Sequence, residues 1–214
     1  MSNYKEIARR KLADQIIAQL KKRNIEGYYC ESKEETLEKA VSFLNLGCSV
    51  SWGGSESLKE IGFMDYMASQ KENYQIIDRF QGKTPEEKRN LHAKATMADY
   101  YYMSSNAITK DGILVNMDGS GNRVASLCYG PNHVVLIVGM NKVTATIEEA
   151  IDRIHLIAAP TNTIRMELNT PCALTGSCAD CFSKDCICGS LVITRYNRQE
   201  GRIKVLLVGE DLGF

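Results

Sequence analysis

Apolar positions along this chain switch repeatedly between a helical period and short unbroken runs. Over residues 4–23, Ile7, Leu12, Ile16, Ile17 and Leu20 recur at helical spacing and predict an amphipathic helix. A short strand is expected at residues 26–30. Further helix starts are marked by capping boxes, in which a hydroxyl and a Glu three residues on satisfy free backbone donors. The pairs are Ser32 with Glu35, Ser57 with Glu60, Thr84 with Glu87 and Thr146 with Glu149, and Pro85 adds a first-turn proline to the third. Short apolar runs at residues 48–52, 74–77, 100–103 and 134–138 read as strands, the last one apolar throughout, as a buried central strand is.

Alternating helices and strands imply an α/β fold with a largely parallel sheet and flanking helices. Residues 111–123 interrupt the alternation. There Ile113–Asn116, a glycine-rich turn from Met117 to Asn122, and Arg123–Ala125 read as a hairpin. A helix is expected over 146–158. Regular signals fade across 160–189, and strands at 191–194 and 203–208 close the chain around a turn at 198–202. With no repeat or linker, the 214 residues read as a single domain carrying a Cys-rich segment at 160–190.

Lys and Arg total 26, as do Asp and Glu, so the formal charge is zero and gives no electrostatic case for nucleic acid. The N-terminal stretch lacks the apolar core of a signal peptide. The longest apolar run, at 134–138, is far short of the ~20 residues of a membrane helix. A cytoplasmic location is therefore expected, where thiols stay reduced.

That changes the meaning of the eight cysteines. Five of them, Cys172, Cys178, Cys181, Cys186 and Cys188, fall within seventeen residues. Cys178-x-x-Cys181 has the gap of a metal knuckle, and four of the five would complete a tetrahedral zinc site or hold an iron–sulfur cluster. Redox thiols without a metal are the alternative, with Cys178 and Cys181 as the pair. Cys30, Cys48 and Cys128 lie in or beside apolar strands and read as packing residues. His92, His133 and His155 have unrelated spacings; His92 and His155 read as surface or packing positions on helices.

Ligand chemistry is expected in the loops after strands. Gly53-Gly54-Ser55-Glu56-Ser57 joins a strand to a helix, where close backbone approach and the helix N-terminus favour an anion. Asn106 and Thr109 follow another strand, and ligands of open α/β sheets sit beyond the carboxyl ends of strands. Asp118 and Asn122 belong to the glycine-rich turn, and Lys142 follows the central apolar strand. Glu56 and Asp118 are the candidate acid–base or nucleophilic carboxylates. Gly53, Gly54, Ser55, Ser57, Asn106, Thr109, Asn122 and Lys142 are the candidate ligand-binding residues. Each also has a plain structural role available, as a turn, a cap or an exposed lysine.

Several segments, in order, resemble the LUD-domain (lactate utilization, DUF162) family. They are Gly54-Ser55-Glu56-Ser57-Leu58 with Glu60-Ile61-Gly62, Ile77-Asp78-Arg79, Ala98-Asp99-Tyr100 and Ser105–Thr109 with Asp111-Gly112. Val115–Gly119 with Gly121–Ala125, Tyr129-Gly130-Pro131, Gly139–Lys142, Thr170-Pro171-Cys172 and Val208-Gly209-Glu210 continue the match. The resemblance implies a NagB/RpiA/CoA transferase-like fold, with phosphate or CoA ligands at the strand ends. It also implies a role in lactate or organic-acid use, with a small anionic metabolite as ligand and iron–sulfur redox subunits as partners, and a homo-oligomer is a further expectation. The separate ferredoxin-type cysteine array of other members is not in this sequence. A sugar-phosphate isomerase-like or CoA transferase-like enzyme, and a non-catalytic metal-stabilised subunit, are the alternatives, because fold resemblance alone does not transfer function.

Overall fold

The structure is a computed structural model describing residues 4–214; the first three residues of the polar N-terminal stretch lie outside the described residues. Helix α1 (Tyr4–Lys22) leads into β1 (Glu26–Cys30), α2 (Lys33–Val41), β2 (Ser49–Trp52), α3 (Glu56–Glu60), α4 (Phe63–Ser69) and β3 (Gln75–Ile77). Then come α5 (Pro85–Ala95), β4 (Tyr100–Met103), β5 (Ala107–Thr109), β6 (Leu114–Asp118), α6 (Asn122–Cys128), β7 (His133–Gly139) and β8 (Val143–Thr144). The chain closes with α7 (Ile147–Arg153), α8 (Ala159–Arg165), α9 (Pro171–Thr175), β9 (Ser190–Thr194) and β10 (Ile203–Val208).

Six strands form a parallel sheet in the order β1-β10-β7-β4-β2-β3. Its central strands are apolar on both faces because helices cover both. The pleat sorts their side chains into two cores. Val134, Leu136, Val138, Val205, Leu207, Tyr101 and Met103 join Ala13, Ile16 and Leu20 of α1 on one side. Val135, Ile137, Leu206, Val208, Tyr100 and Tyr102 join Ala40, Leu58, Phe63 and Met67 on the other. Helix α1 lies so close to β1 that a Cβ on Gly27 would stand 3.0 Å from the Ile17 and Leu20 side chains. A second sheet, β8-β5-β6-β9, lies over the carboxyl end of the first and mixes parallel and antiparallel pairs.

The α/β architecture with a largely parallel sheet agrees with the sequence expectation, and three capping residues act as expected. Ser32, Thr84 and Thr146 each accept from the backbone N–H three residues on. Other expectations need correction. The short helix expected to start at Ser57 starts two residues earlier, because Ser55 caps it and Ser57 is buried inside it. Residues 123–125 form no hairpin strand. The Asp118 carboxylate accepts from the N–H groups of Ser120, Gly121, Arg123 and Val124, which winds that stretch into α6. Residues 107–109, expected as loop, pair with β6 as β5. The last two strands do not pair with each other: β10 is fully buried in the main sheet, while half-exposed β9 pairs with β6. The helix expected to end at residue 158 runs on through a π-helical turn (Ile154–Ala158) into α8, and α9 forms within the cysteine segment.

Arg202, at the foot of β10, is buried and spends its guanidinium on three carbonyls. It donates to Pro131 at 3.0 Å, Leu127 at 2.7 Å and Ser126 at 2.7 Å, closing the end of α6. Arg202→Met strands those acceptors and should destabilise the protein by roughly 2–4 kcal/mol in equilibrium urea unfolding; a loss under about 0.5 kcal/mol would contradict this.

Candidate functional site: a cationic cleft beside a thiol-lined cavity

Because all six strands run one way, the loops after β2, β3, β4 and β7 emerge along one edge. They surround a cleft of about 430 Å³. Gly54, Ser55, Glu56 and Ser57 line it from one side, and Asn106, Asp118, Asn122 and Lys142 from the others, so these sequence candidates converge. Gly53 stands behind the wall: a Cβ there would meet the Arg123 Cδ and the Tyr101 hydroxyl at 3.2 Å. A Cβ on Gly54 would stand 2.9 Å from an Arg79 terminal nitrogen. The paired glycines therefore make room for arginine side chains. Thr109 is not in the cleft; its hydroxyl accepts from Ile113 N–H at 3.1 Å and shapes the β5–β6 turn.

Three arginines that sequence reasoning did not single out as site residues complete the lining: Arg79, Arg123 and Arg165. Arg123 donates to Asn116 Oδ1 (2.6 Å), Asn106 Oδ1 (2.9 Å), Met117 O (2.7 Å) and Ser104 O (3.1 Å), and its Nε stands 3.6 Å from Asp118. Asn106 also accepts from Met117 N–H, so its carbonyl oxygen serves the internal network. Arg79 is less committed. The Asn122 amide oxygen, in the orientation that satisfies that side chain, accepts from it, while its Nε is buried without a partner. Exposed Arg165 pairs with Glu56 at 3.2 Å across the rim. Position after a strand was the available signal for Arg79; nothing local marks Arg165.

Lys142 is a buried charge with no carboxylate partner. Its Nζ donates to the hydroxyls of Ser57 (3.0 Å) and Ser104 (3.1 Å). Burial, then repulsion from Arg153 and Arg123, brings its pKa down to about 7, against a smaller opposing pull from Glu60.

A second cavity, of about 510 Å³, adjoins the first through a shared wall of Met117, Ala159, Ile187 and Cys188. Cys172, Cys178, Cys181, Cys186 and Cys188 all line it, as does His155. The segment seats closely because a Cβ on Gly189 would stand 2.6 Å from the Gly119 carbonyl, and one on Gly119 would stand 3.1 Å from the Ile187 backbone. Each thiol has its own neighbours. Cys172 lies 3.3 Å from the hydroxyls of both Thr163 and Thr170, Cys181 lies 3.6 Å from that of Ser183, and Cys186 accepts from Cys188 N–H at 3.4 Å. His155, expected as a surface or packing residue, places Nδ1 3.0 Å from Cys178 Sγ. The π-helical turn that carries it explains the difference, since the added residue turns this face towards the cysteines.

Among the described residues, no group of three or more His, Cys, Asp or Glu side chains is drawn together as a metal ion would require. No step is routed through zinc or an iron–sulfur cluster. All eight cysteines are free thiols. Burial, reinforced by Cys186, Cys178 and Cys172, pushes the Cys188 thiol up to about 12, whereas hydrogen bonds from Ser183 lower that of Cys181. Cys30 is buried as expected; Cys128, expected to be buried, is exposed at the end of α6.

A family model for the LUD domain matches residues 13–208, which includes the strand-end loops and the cysteine segment. The chain belongs to the LUD-domain family. At the family level it is linked to lactate utilization. Among solved structures, a DUF162 family protein from Deinococcus radiodurans superposes with a TM-score of 0.54 at 11% identity, covering 94% of this chain and 98% of that one. That likeness speaks for the fold. The delta subunit of eIF2B from Chaetomium thermophilum aligns over 54% of this chain and 49% of its own, with a TM-score of 0.32 and 16% identity. No curated protein sequence matches. No helix among the described residues of this LUD-domain protein is long and apolar enough to cross a membrane.

Two outcomes follow from the titration behaviour. The unfolded chain keeps the Lys142 proton up to the ordinary lysine range and the folded chain releases it near pH 7, so the cost of burying the ammonium is full below pH 7 and fades towards pH 10.5. Lys142→Met should therefore raise Tm by several degrees at pH 6 and by distinctly less at pH 9; an equal gain at both would refute the assignment. In timed alkylation at pH 7.5 read by peptide mass mapping, Cys181 should react ahead of Cys188 and Cys30 by at least about tenfold.

Proposed function

We propose that this LUD-domain protein binds a small carboxylate- or phosphate-bearing metabolite in the cleft, and that lactate or a related organic acid is its natural class. The observation that carries the reading is an under-compensated pair of cations. Lys142 is bonded only to hydroxyls, and Arg79 keeps a buried Nε without a partner. Groups of this kind are costly to bury unless something completes them. A planar carboxylate suits a guanidinium fork, and its charge suits an ammonium. The family's link to lactate utilization agrees with this class of ligand.

The residues divide the work. Arg79 would take the anionic group, and Lys142 would add its charge beside it while protonated. Arg123 keeps the loops in place, with every hydrogen bond directed at protein acceptors. Asp118 accepts four backbone N–H groups and serves as a cap for α6, which leaves Glu56 as the carboxylate facing the cleft.

A second reading concerns the adjoining cavity. Five thiols and a histidine on one wall favour reversible thiol chemistry beside the bound ligand. Anaerobic purification followed by counting of reactive thiols before and after a dithiol oxidant, with iron and zinc assayed alongside, tests it. Loss of two thiols per oxidation, recovered on reduction, supports this reading; thiols that no oxidant alters would remove it.

Calorimetric titration with lactate, pyruvate and inorganic phosphate tests the cleft. Arg79→Gln should weaken binding about tenfold, near 1.4 kcal/mol. Affinity should also fall as pH rises from 6 to 9, because the ammonium is lost through that range. Absence of binding by all three ligands at millimolar concentration would overturn the proposal.

A further inference from the structure

Lys142 differs from an ordinary buried ion-pair lysine in what surrounds it. Its Nζ is held between Ser57 Oγ and Ser104 Oγ, two hydroxyls that are themselves buried and 3.4 Å from each other. The charged groups around it come from every packed element. Arg153 of α7 and Arg123 of α6 oppose a positive charge, and Glu60 of α3 favours one. Glu60 is itself turned to the Gly213 N–H at 3.0 Å, while Glu56 pairs with Arg165 and Lys59, and Asp118 caps α6. No carboxylate therefore fixes the proton on Nζ, and the neutral amine, with a free lone pair, is accessible near neutrality.

The C-terminal segment packs directly against the amine, and only a glycine fits there. A Cβ on Gly213 would stand 2.9 Å from Ser57 Oγ and 3.2 Å from Lys142 Nζ. Ser57, Ser104, Lys142 and Gly213 all border the cleft, as does Arg79 with its unpartnered Nε. An amine nucleophile, two hydroxyls able to relay protons, and a guanidinium for a carboxylate thus face one volume.

We infer that Lys142 is a catalytic residue that forms a reversible Schiff base with the carbonyl carbon of a small 2-oxo carboxylate bound in the cleft. This rests on the reading of the cleft as an anion site. The amine lone pair attacks the carbonyl carbon, forming the C–N bond as the carbonyl π pair moves to oxygen. That oxygen takes up a proton, and the amine nitrogen loses one, through Ser57 and Ser104. The carbinolamine hydroxyl then takes one further proton, delivered from solvent through the same serines, and leaves as water as the nitrogen lone pair closes the C=N bond of a protonated imine. No oxidant or reductant is consumed, and water reverses the step. The iminium withdraws electrons from the adjacent carbon, so the C–H bonds at C3 of the acid become more acidic, which is the activation such a lysine supplies.

The full-length wild-type chain with pyruvate as probe tests this directly. Treatment with cyanoborohydride in the presence of pyruvate should reduce the imine to a stable secondary amine, located by peptide mass mapping. The expected result is modification at Lys142 at least about tenfold above any other lysine, and enzyme-dependent exchange of pyruvate C3 protons for deuterium followed by NMR. Ser57→Ala should slow both, and Lys142→Arg should abolish both. Lactate, which has no carbonyl, reports on the cleft alone. If lactate binds and pyruvate leaves no adduct on Lys142, the Schiff base is overturned and the anion site stands. If neither acid binds, both fall. Adducts spread evenly over surface lysines would also overturn the inference.

Discussion

A guanidinium group with little exposed surface sits where the two sheets meet. Arg123 reaches from the first turn of α6 to Ser104 at the end of β4, Asn106 at the entry to β5, and Asn116 and Met117 within β6. Asp118 supports it from below and simultaneously caps the helix that carries it. Burying such a charge is costly, and the cost is met here by hydrogen bonds to almost every donor position. The carboxyl edge of the parallel sheet and the smaller sheet over it are thereby held in one register. The cleft between them exists because that register leaves Lys142, Arg79 and the serines facing one volume.

Much of the fold was legible because it follows from local chemistry. The unbroken apolar run at residues 134–138 has to be a central strand, since only a strand covered on both faces can hide it. Thr84 with Pro85 and Glu87 announces its helix from four residues alone. Where the reading failed, either two local outcomes competed or a distant partner decided between them. Nothing near Arg123 indicates that Asp118 will wind it into a helix when a glycine-rich turn points equally to a hairpin. The separation of β9 from β10 depends on β6 competing for β9, a contact more than seventy residues away in sequence. Ser57 looked like a cap because its neighbour Ser55 fills the same role with the same side chain.

The site was legible to the extent that strand ends are. Glycines, serines, Asn106 and Lys142 were found because they follow strands, while Arg165 was invisible because a helix from the far side of the cleft delivers it. The glycines also mean something different from a bare ligand loop: they accommodate arginine side chains that in turn face the cleft. The cysteines show the converse. Five thiols dense in sequence line one cavity, some beside a hydroxyl or imidazole and some, such as Cys186 and Cys188, beside each other. Density along the chain therefore does not by itself make a coordination sphere.

The π-helical turn between α7 and α8 has one more implication. Its winding sets the phase of the helix, so that His155 faces the thiols while Ala159, Asn162 and Arg165 border the cleft. Rewinding those same residues as an ordinary α-helix would turn everything downstream by about 100°. Arg165 would leave Glu56, and the common wall of Ala159 and Cys188 would come apart. The two cavities thus share a phase-locking element, and rewinding those five residues would disrupt both chambers at once although no lining residue is replaced.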